Sequence, residues 1–246
     1  MKTATLKSAI RLYKTRRFEQ ALEELKSSGE NPAESPEISY YLGLCYTQLG
    51  RYDDALVFLE QVVTAGDNLI QLYQSRMILS YIYTITGRYR LAQFELEQLL
   101  ASGYESAQVY SAFGYVAYCQ RRVNDSLVYL QKAITLDPTN SNALNSMGYI
   151  LAEEDIDPMG ALSYCKNAVE RRPENASYLD SLGWAYFKAG KLGEAKIHLR
   201  KALNLAGGSR EIAAHLKACL AAEGRKVTPG GRKSAAEGRR LASDQE

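Results

Sequence analysis

The stretch Ser39–Leu59, SYYLGLCYTQLGRYDDALVFL, carries the marks that decide the fold: Leu42-Gly43, Tyr46, Ala55 and Leu59. They return in Leu179–Leu199, LDSLGWAYFKAGKLGEAKIHL, as Leu182-Gly183, Tyr186, Ala195 and Leu199. Intermediate copies recur about every 34 residues, a period at which one unit cannot bury its own apolar face and copies must stack. Stacking produces an all-α solenoid with a long groove rather than a closed pocket.

Working outward, the marks divide the chain into six units: 2–35, 36–69, 73–106, 107–140, 141–175 and 176–209. Each reads as two amphipathic helices around a tight turn, with apolar residues at i, i+3, i+4 and i+7. Gly50-Arg51-Tyr52, Gly87-Arg88-Tyr89 and Gly190-Lys191-Leu192 supply left-handed residues that end first helices. Asp137-Pro138 and Arg172-Pro173 end second helices. Small residues recur where helices cross closely: Ala9, Gly43, Ser80, Gly114, Gly148 and Gly183 in first helices, Ala21, Ala55, Ala92, Ser126, Ala161 and Ala195 in second ones. A bulky Gly148→Leu change is expected to force the helices apart at about 1–3 kcal/mol or more.

The pattern resembles the tetratricopeptide repeat family over about residues 2–209. Unit 1 is degenerate, unit 3 has Ser80 for glycine and three extra residues before it, and unit 5 has one extra residue near Glu153–Met159. Residues 210–224 read as a closing helix with Ile212, Leu216, Cys219 and Leu220 on one face, as such arrays commonly need a solvating cap. Residues 225–246 turn to Gly, Pro, Ser and charge, a flexible basic tail with six basic and three acidic residues. The remainder holds 24 basic and 25 acidic residues, so any electrostatic targeting belongs to the tail.

The resemblance implies that first helices line a concave groove where ligands bind. Its middle would hold Ile10, Leu44, Tyr81, Tyr115, Tyr149 and Trp184, and one turn on Tyr13, Thr47, Thr84, Tyr118, Ala152 and Phe187. Four units in a row thus offer an aromatic at one inward position. Gln108, Asn142, Asn145 and Asp180 accompany them, and amides pair with both donors and acceptors of an extended peptide. The rings either anchor a ligand or pack between neighbouring first helices, and Tyr118 and Phe187 are expected to be the more exposed. An Asn/Lys/Arg clamp for a free carboxylate is disfavoured, because Lys14 and Lys188 stand at opposite ends of the array.

Enzyme chemistry finds no residue set. His198 and His215 have no orienting partner in the sequence pattern. Cys45, Cys119, Cys165 and Cys219 lie 74, 46 and 54 residues apart, without the close pairs of metal or redox motifs. Glu153–Asp157 lacks the glycine and final glutamate of a calcium loop. No cofactor and no metal are expected.

The expected partner is a protein, bound through a peptide segment by a non-enzymatic scaffold. The alternatives are a structural or oligomeric component of a larger envelope assembly using the convex face, and nucleic-acid binding through the basic tail. The start, MKTATLKSAIRLYK, has no signal-peptide core, and no run approaches 18 apolar residues. A cytoplasmic protein is expected, or a periplasmic one if Met1 replaces an export signal.

Overall fold

A computed structural model describes residues 2–227, with side chains for 5–224. The described residues form helices and no strand, and divide into two compact units at Asp137-Pro138. The tail expected over 225–246 falls outside them, except that the last helix runs on to Val227.

The first unit holds α1 (Lys2–Lys14), α2 (Phe18–Ser27), a short 3-10 turn (Pro32–Glu34), α3 (Pro36–Gln48), α4 (Tyr52–Ala65), α5 (Leu69–Ile85), α6 (Tyr89–Ala101), α7 (Ala107–Cys119) and α8 (Val123–Leu136). Each odd helix pairs with the next, and the odd helices also meet one another. The three extra residues before the third pair lengthen α5 to 17 residues, adding a turn of helix rather than a linker. Asn68 starts that turn by accepting from the backbone N–H groups of Ile70 and Gln71, and Ser106 caps α7 through Val109.

The second unit holds α9 (Ser141–Glu153), α10 (Pro158–Arg171), α11 (Ala176–Lys188), α12 (Leu192–Leu205) and α13 (Arg210–Val227). Asn140, Asp157 and Asn175 cap α9, α10 and α11. The closing helix seats Ile212 against Leu179 and Ala202, and Cys219 against Ala195 and Leu199. Leu220, expected on the same face, is 40% exposed because it lies a further 100° round the helix from Cys219.

Small residues do what their spacing implies. Ala9, Ala21, Ala55, Ala92, Ser126, Ala161 and Ala195 are all buried, and Leu59, Leu79, Leu96, Leu130 and Leu199 fill the space beside them. A Cβ on Gly43 would lie 2.7 Å from Leu59 Cγ, and one on Gly183 2.7 Å from Leu199 Cγ. On Gly148 it would lie 2.9 Å from the Ala161 carbonyl oxygen and 3.0 Å from the Cys165 nitrogen, both backbone. The turn after the first helix uses glycine at Gly50, Gly87 and Gly190, but Arg16, Arg121 and Asp155 hold the same left-handed conformation. The four cysteines are unpaired, and burial pushes the Cys45 and Cys165 thiols up to about 12, which keeps them protonated and unreactive.

Candidate functional site

In the first unit the odd helices present a tyrosine-rich cleft of about 480 Å³. Tyr13 and Lys14 enter it from α1, Tyr40, Tyr41 and Leu44 from α3, and Tyr73, Gln74, Met77 and Ile78 from α5. Tyr104, in the turn before α7, and Gln108 close its far end. The rings are organised by contact: Tyr13 meets Tyr41 edge-on at 6.1 Å, Tyr40 meets Tyr41 at 5.3 Å, and Tyr73 stacks on Tyr104 at 4.7 Å. The Tyr40 hydroxyl donates to Gln74 Oε1 one repeat away. Burial raises the Tyr13 and Tyr41 phenols and pushes Tyr40 up to about 12, with neighbouring tyrosines adding to the Tyr13 and Tyr40 shifts. These hydroxyls therefore stay neutral and able to donate.

Of the expected groove residues in this unit, Gln108 lines the cleft and is exposed. Tyr81 and Tyr115 are 52% and 47% exposed. Tyr118 is half-buried, the reverse of the expected order of exposure. Burial and the Tyr52 hydroxyl raise the Tyr81 phenol. Burial raises the Cys119 thiol, against the lowering effect of a bond with Tyr115 and of Arg121.

In the second unit the expected residues are more tightly engaged. Trp184 stacks on both Phe187 (4.8 Å) and His215 (4.3 Å), and its indole N–H donates to Glu153 Oε2 at 2.6 Å. Phe187 is half-buried in that stack rather than the more exposed ring. Asp180 is only 6% exposed and accepts from His215 Nδ1–H at 2.9 Å, so it anchors α13 and does not stand open in a groove. Burial opposes charge on His215, but the Asp180 bond and charge, with Glu211 and Glu153, raise it overall. Tyr149 is half-buried. Asn142 is exposed and accepts from the Tyr178 hydroxyl. Asn145 Oδ1 is buried without a hydrogen-bond donor.

The acidic turn is taken up internally: Asp155 lies 2.8 Å from Lys188, Asp157 caps α10, and Glu153 holds Trp184. Among the described residues no group of three His, Cys, Asp or Glu is placed to hold a metal, and no helix is long and apolar enough to cross a membrane. Sequence reasoning missed Tyr40, Tyr41, Tyr73 and Tyr104. The available signal was the pair Gln74 and Gln108, which hold one place in consecutive repeats.

The helix pairs with buried small residues at each crossing can be set beside known proteins. A model described as tetratricopeptide repeat matches residues 176–208, and one described as anaphase-promoting complex, cyclosome, subunit 3 matches residues 4–62. A TPR repeat-containing protein of Pseudomonas aeruginosa, PA4667, is 37% identical over 87 residues, which are 35% of this chain and 15% of that protein. The chain carries tetratricopeptide repeats. Solved structures share the fold of this tetratricopeptide repeat protein. The APC/C hetero-tetramer Cut9–Hcn1 matches with a TM-score of 0.74 at 14% identity, over 89% of this chain and 43% of that one. A tetratricopeptide repeat protein from Parabacteroides merdae matches at 0.71 and 13% identity, over 89% and 84%. PilW, a type IV pilus biogenesis factor, matches at 0.60 and 20% identity, over 78% and 90%.

Proposed function

We propose that this tetratricopeptide repeat protein is a non-enzymatic interaction scaffold that holds a peptide segment of a protein partner on the face of its odd helices. The observation that carries the reading is the exposure of Tyr81 and Tyr115, two large rings at the same place in consecutive repeats. Aromatic rings give large contact area with few rotamers to freeze, which suits a binding surface. Gln108 and Asn142, both exposed, supply backbone-pairing groups in their own units. Tyr118 is a half-buried ring of the same unit as Tyr81 and Tyr115, and Tyr149, Trp184 and Phe187 are half-buried on odd helices of the second unit.

Panning a displayed library of random peptides against the full chain tests the reading. Enriched peptides are expected to lose about 2 kcal/mol or more of binding on the Tyr81→Ala/Tyr115→Ala variant. Undiminished binding by that variant would remove both rings from the site.

A second reading has its own observation. Val57, Phe94 and Val128 stand two residues after the buried small residue of α4, α6 and α8, and are 54%, 49% and 67% exposed. This recurrent apolar position on even helices favours assembly through the opposite face. A sedimenting mass that rises with concentration in wild type, and not in Phe94→Glu/Val128→Glu, is the result that reading requires.

A further inference from the structure

We propose that the tyrosine cleft of the first unit selects an acidic peptide, seating a proline or aromatic side chain among Tyr13, Tyr41, Tyr73 and Tyr104 with flanking carboxylates over α1. The inference rests on the peptide-scaffold reading and gives that reading a ligand chemistry and a place in the first unit.

The cleft supplies the anchor site. Its volume, about 480 Å³, accommodates one large side chain with adjoining backbone. Aromatic walls pack flat against proline and aromatic rings, and an extended segment brings such a side chain in with little entropy to lose. The neutral Tyr13 and Tyr41 phenols can donate hydrogen bonds to peptide carbonyls or carboxylates, Tyr40 already donating to Gln74, and the amides of Gln74 and Gln108, both exposed, are placed to pair with the backbone.

The charge around the cleft supplies the selectivity. Residues 1–18 contain six basic side chains and no acidic one. Lys7, Arg11 and Lys14 recur at i, i+4 and i+7, so they share one face of α1, and Lys14 lines the cleft. These three, with Arg16 and Arg17, are exposed. Elsewhere in this unit Arg51, Arg76, Arg88, Arg122 and Lys132 each have a carboxylate within 4.0 Å, whereas Lys7, Arg11, Lys14, Arg16 and Arg17 have none among the described residues. Two carboxylates approach the cleft. Glu105 is answered by Lys132 at 3.6 Å, and Glu37 is a single exposed group one turn before Tyr41. Over residues 1–27, which hold α1 and α2, seven basic side chains stand against three acidic ones, so the local field is positive, attracting anionic segments and repelling cationic ones. The chain's own C-terminal segment, six basic residues to three acidic, has the wrong sign to fill the cleft.

The test uses fluorescence anisotropy with the full chain and end-blocked peptides, so that side-chain carboxylates alone carry negative charge. One probe has a central tryptophan–proline pair flanked by Asp and Glu, a second the same centre flanked by Lys and Arg, and a third the acidic flanks around alanines. The acidic aromatic probe is expected to bind at least about tenfold tighter than either control, less so as salt rises. Lys7→Glu/Lys14→Glu, exposed and harmless to the core, should invert the preference between acidic and basic flanks. Tyr41→Ala/Tyr104→Ala, checked for helicity by circular dichroism, should weaken the acidic probe about 30-fold or more.

Equal affinity for acidic and basic probes overturns the cleft proposal and leaves the scaffold reading standing. So does loss of binding in Trp184→Ala/Phe187→Ala while the cleft variants bind like wild type. Self-association abolished by the Lys7→Glu/Lys14→Glu change would overturn it in favour of a second copy as the occupant. Failure of the whole displayed library to yield a binder removes both readings together.

Discussion

Gly148→Ala adds one methyl group where two helices cross, and the atoms it meets set the consequence. The new Cβ would sit 2.9 Å from the Ala161 carbonyl oxygen and 3.0 Å from the Cys165 nitrogen. Both belong to the backbone of α10, so no rotamer change relieves the contact. The helices must part by a few tenths of an ångström, loosening Leu144, Met147 and Leu151 on one side and Ala161 and Leu162 on the other, all buried. Overpacking of this kind costs about 1–3 kcal/mol. Against rigid backbone the cost falls in the upper part of that range, about 2–3 kcal/mol, and alanine's better helix propensity returns about 1 kcal/mol, leaving a net loss of about 1–2 kcal/mol. At Gly43 the same methyl meets Leu59 Cγ and Cδ2 at 2.7 Å, while the nearest backbone atom is 3.5 Å away. A side chain can turn aside, so Gly43→Ala should lose about 1 kcal/mol less than Gly148→Ala. At Gly193 no atom lies within 4 Å, and alanine there should be neutral or add up to about 1 kcal/mol. Urea denaturation followed by circular dichroism ranks the three variants. Stability of Gly148→Ala equal to wild type, or a larger loss at Gly43, would refute the assignment of the penalty to backbone contact.

Arg76 and Glu95 form a 2.6 Å pair with side chains only 16% and 10% exposed, and burial raises the Glu95 carboxyl against the lowering effect of Arg76. Arg76→Met should destabilise by about 3–5 kcal/mol by stranding Glu95, while Arg76→Met/Glu95→Leu should recover most of the loss, read as denaturation midpoints. The Tyr83 hydroxyl bonds Glu60 at 2.6 Å between α5 and α4, so Tyr83→Phe should lower stability by about 0.5–1.5 kcal/mol in the same assay. His215 has a raised folded value, so its contribution to holding α13 is complete below its ordinary 6.5 and is lost as pH rises through the raised value. Amide exchange in α13 should therefore accelerate, beyond the intrinsic pH effect, between mildly acidic and mildly alkaline solution. His215→Gln should remove that excess. Arg121→Gly at the left-handed turn position should raise the melting temperature by relieving about 1 kcal/mol of strain.

The fold was legible because its signals are local and repeated. Gly43, Gly114, Gly148 and Gly183 each face a buried residue of the paired helix, and that requirement shows in one sequence as a period. The site was legible only in part. Tyr81 and Tyr115 follow the repeat and are exposed as an inward-facing aromatic position implies. Tyr73 and Tyr104 do not show as a pair in the period: one lies just after the extra turn of α5, the other in an inter-repeat turn, and only the spatial meeting of those segments makes them neighbours. Trp184 and Asp180 occupy groove positions by register, but the register is blind to the side chain that α13 brings against them. His215 stacks on one and bonds the other, turning two expected contact residues into anchors. Leu220 was misplaced for a related reason, since the narrow seam of the closing helix reaches Cys219 and stops short of its neighbour.

The Asp180–His215 pair bears on how such a chain can evolve. Repeat proteins lengthen by duplicating a unit, and a copied helix pair inserted after Leu205 would carry α13 away from α11. Asp180, buried and acidic where the preceding repeat has Asn145, would then face a first helix with no imidazole to meet it. A carboxylate stranded in that way is worth several kcal/mol against the folded state. The last unit and its cap are thus matched to each other and not to a generic neighbour. A simple duplication inserted between the last pair and α13 therefore costs stability unless the acid is replaced first.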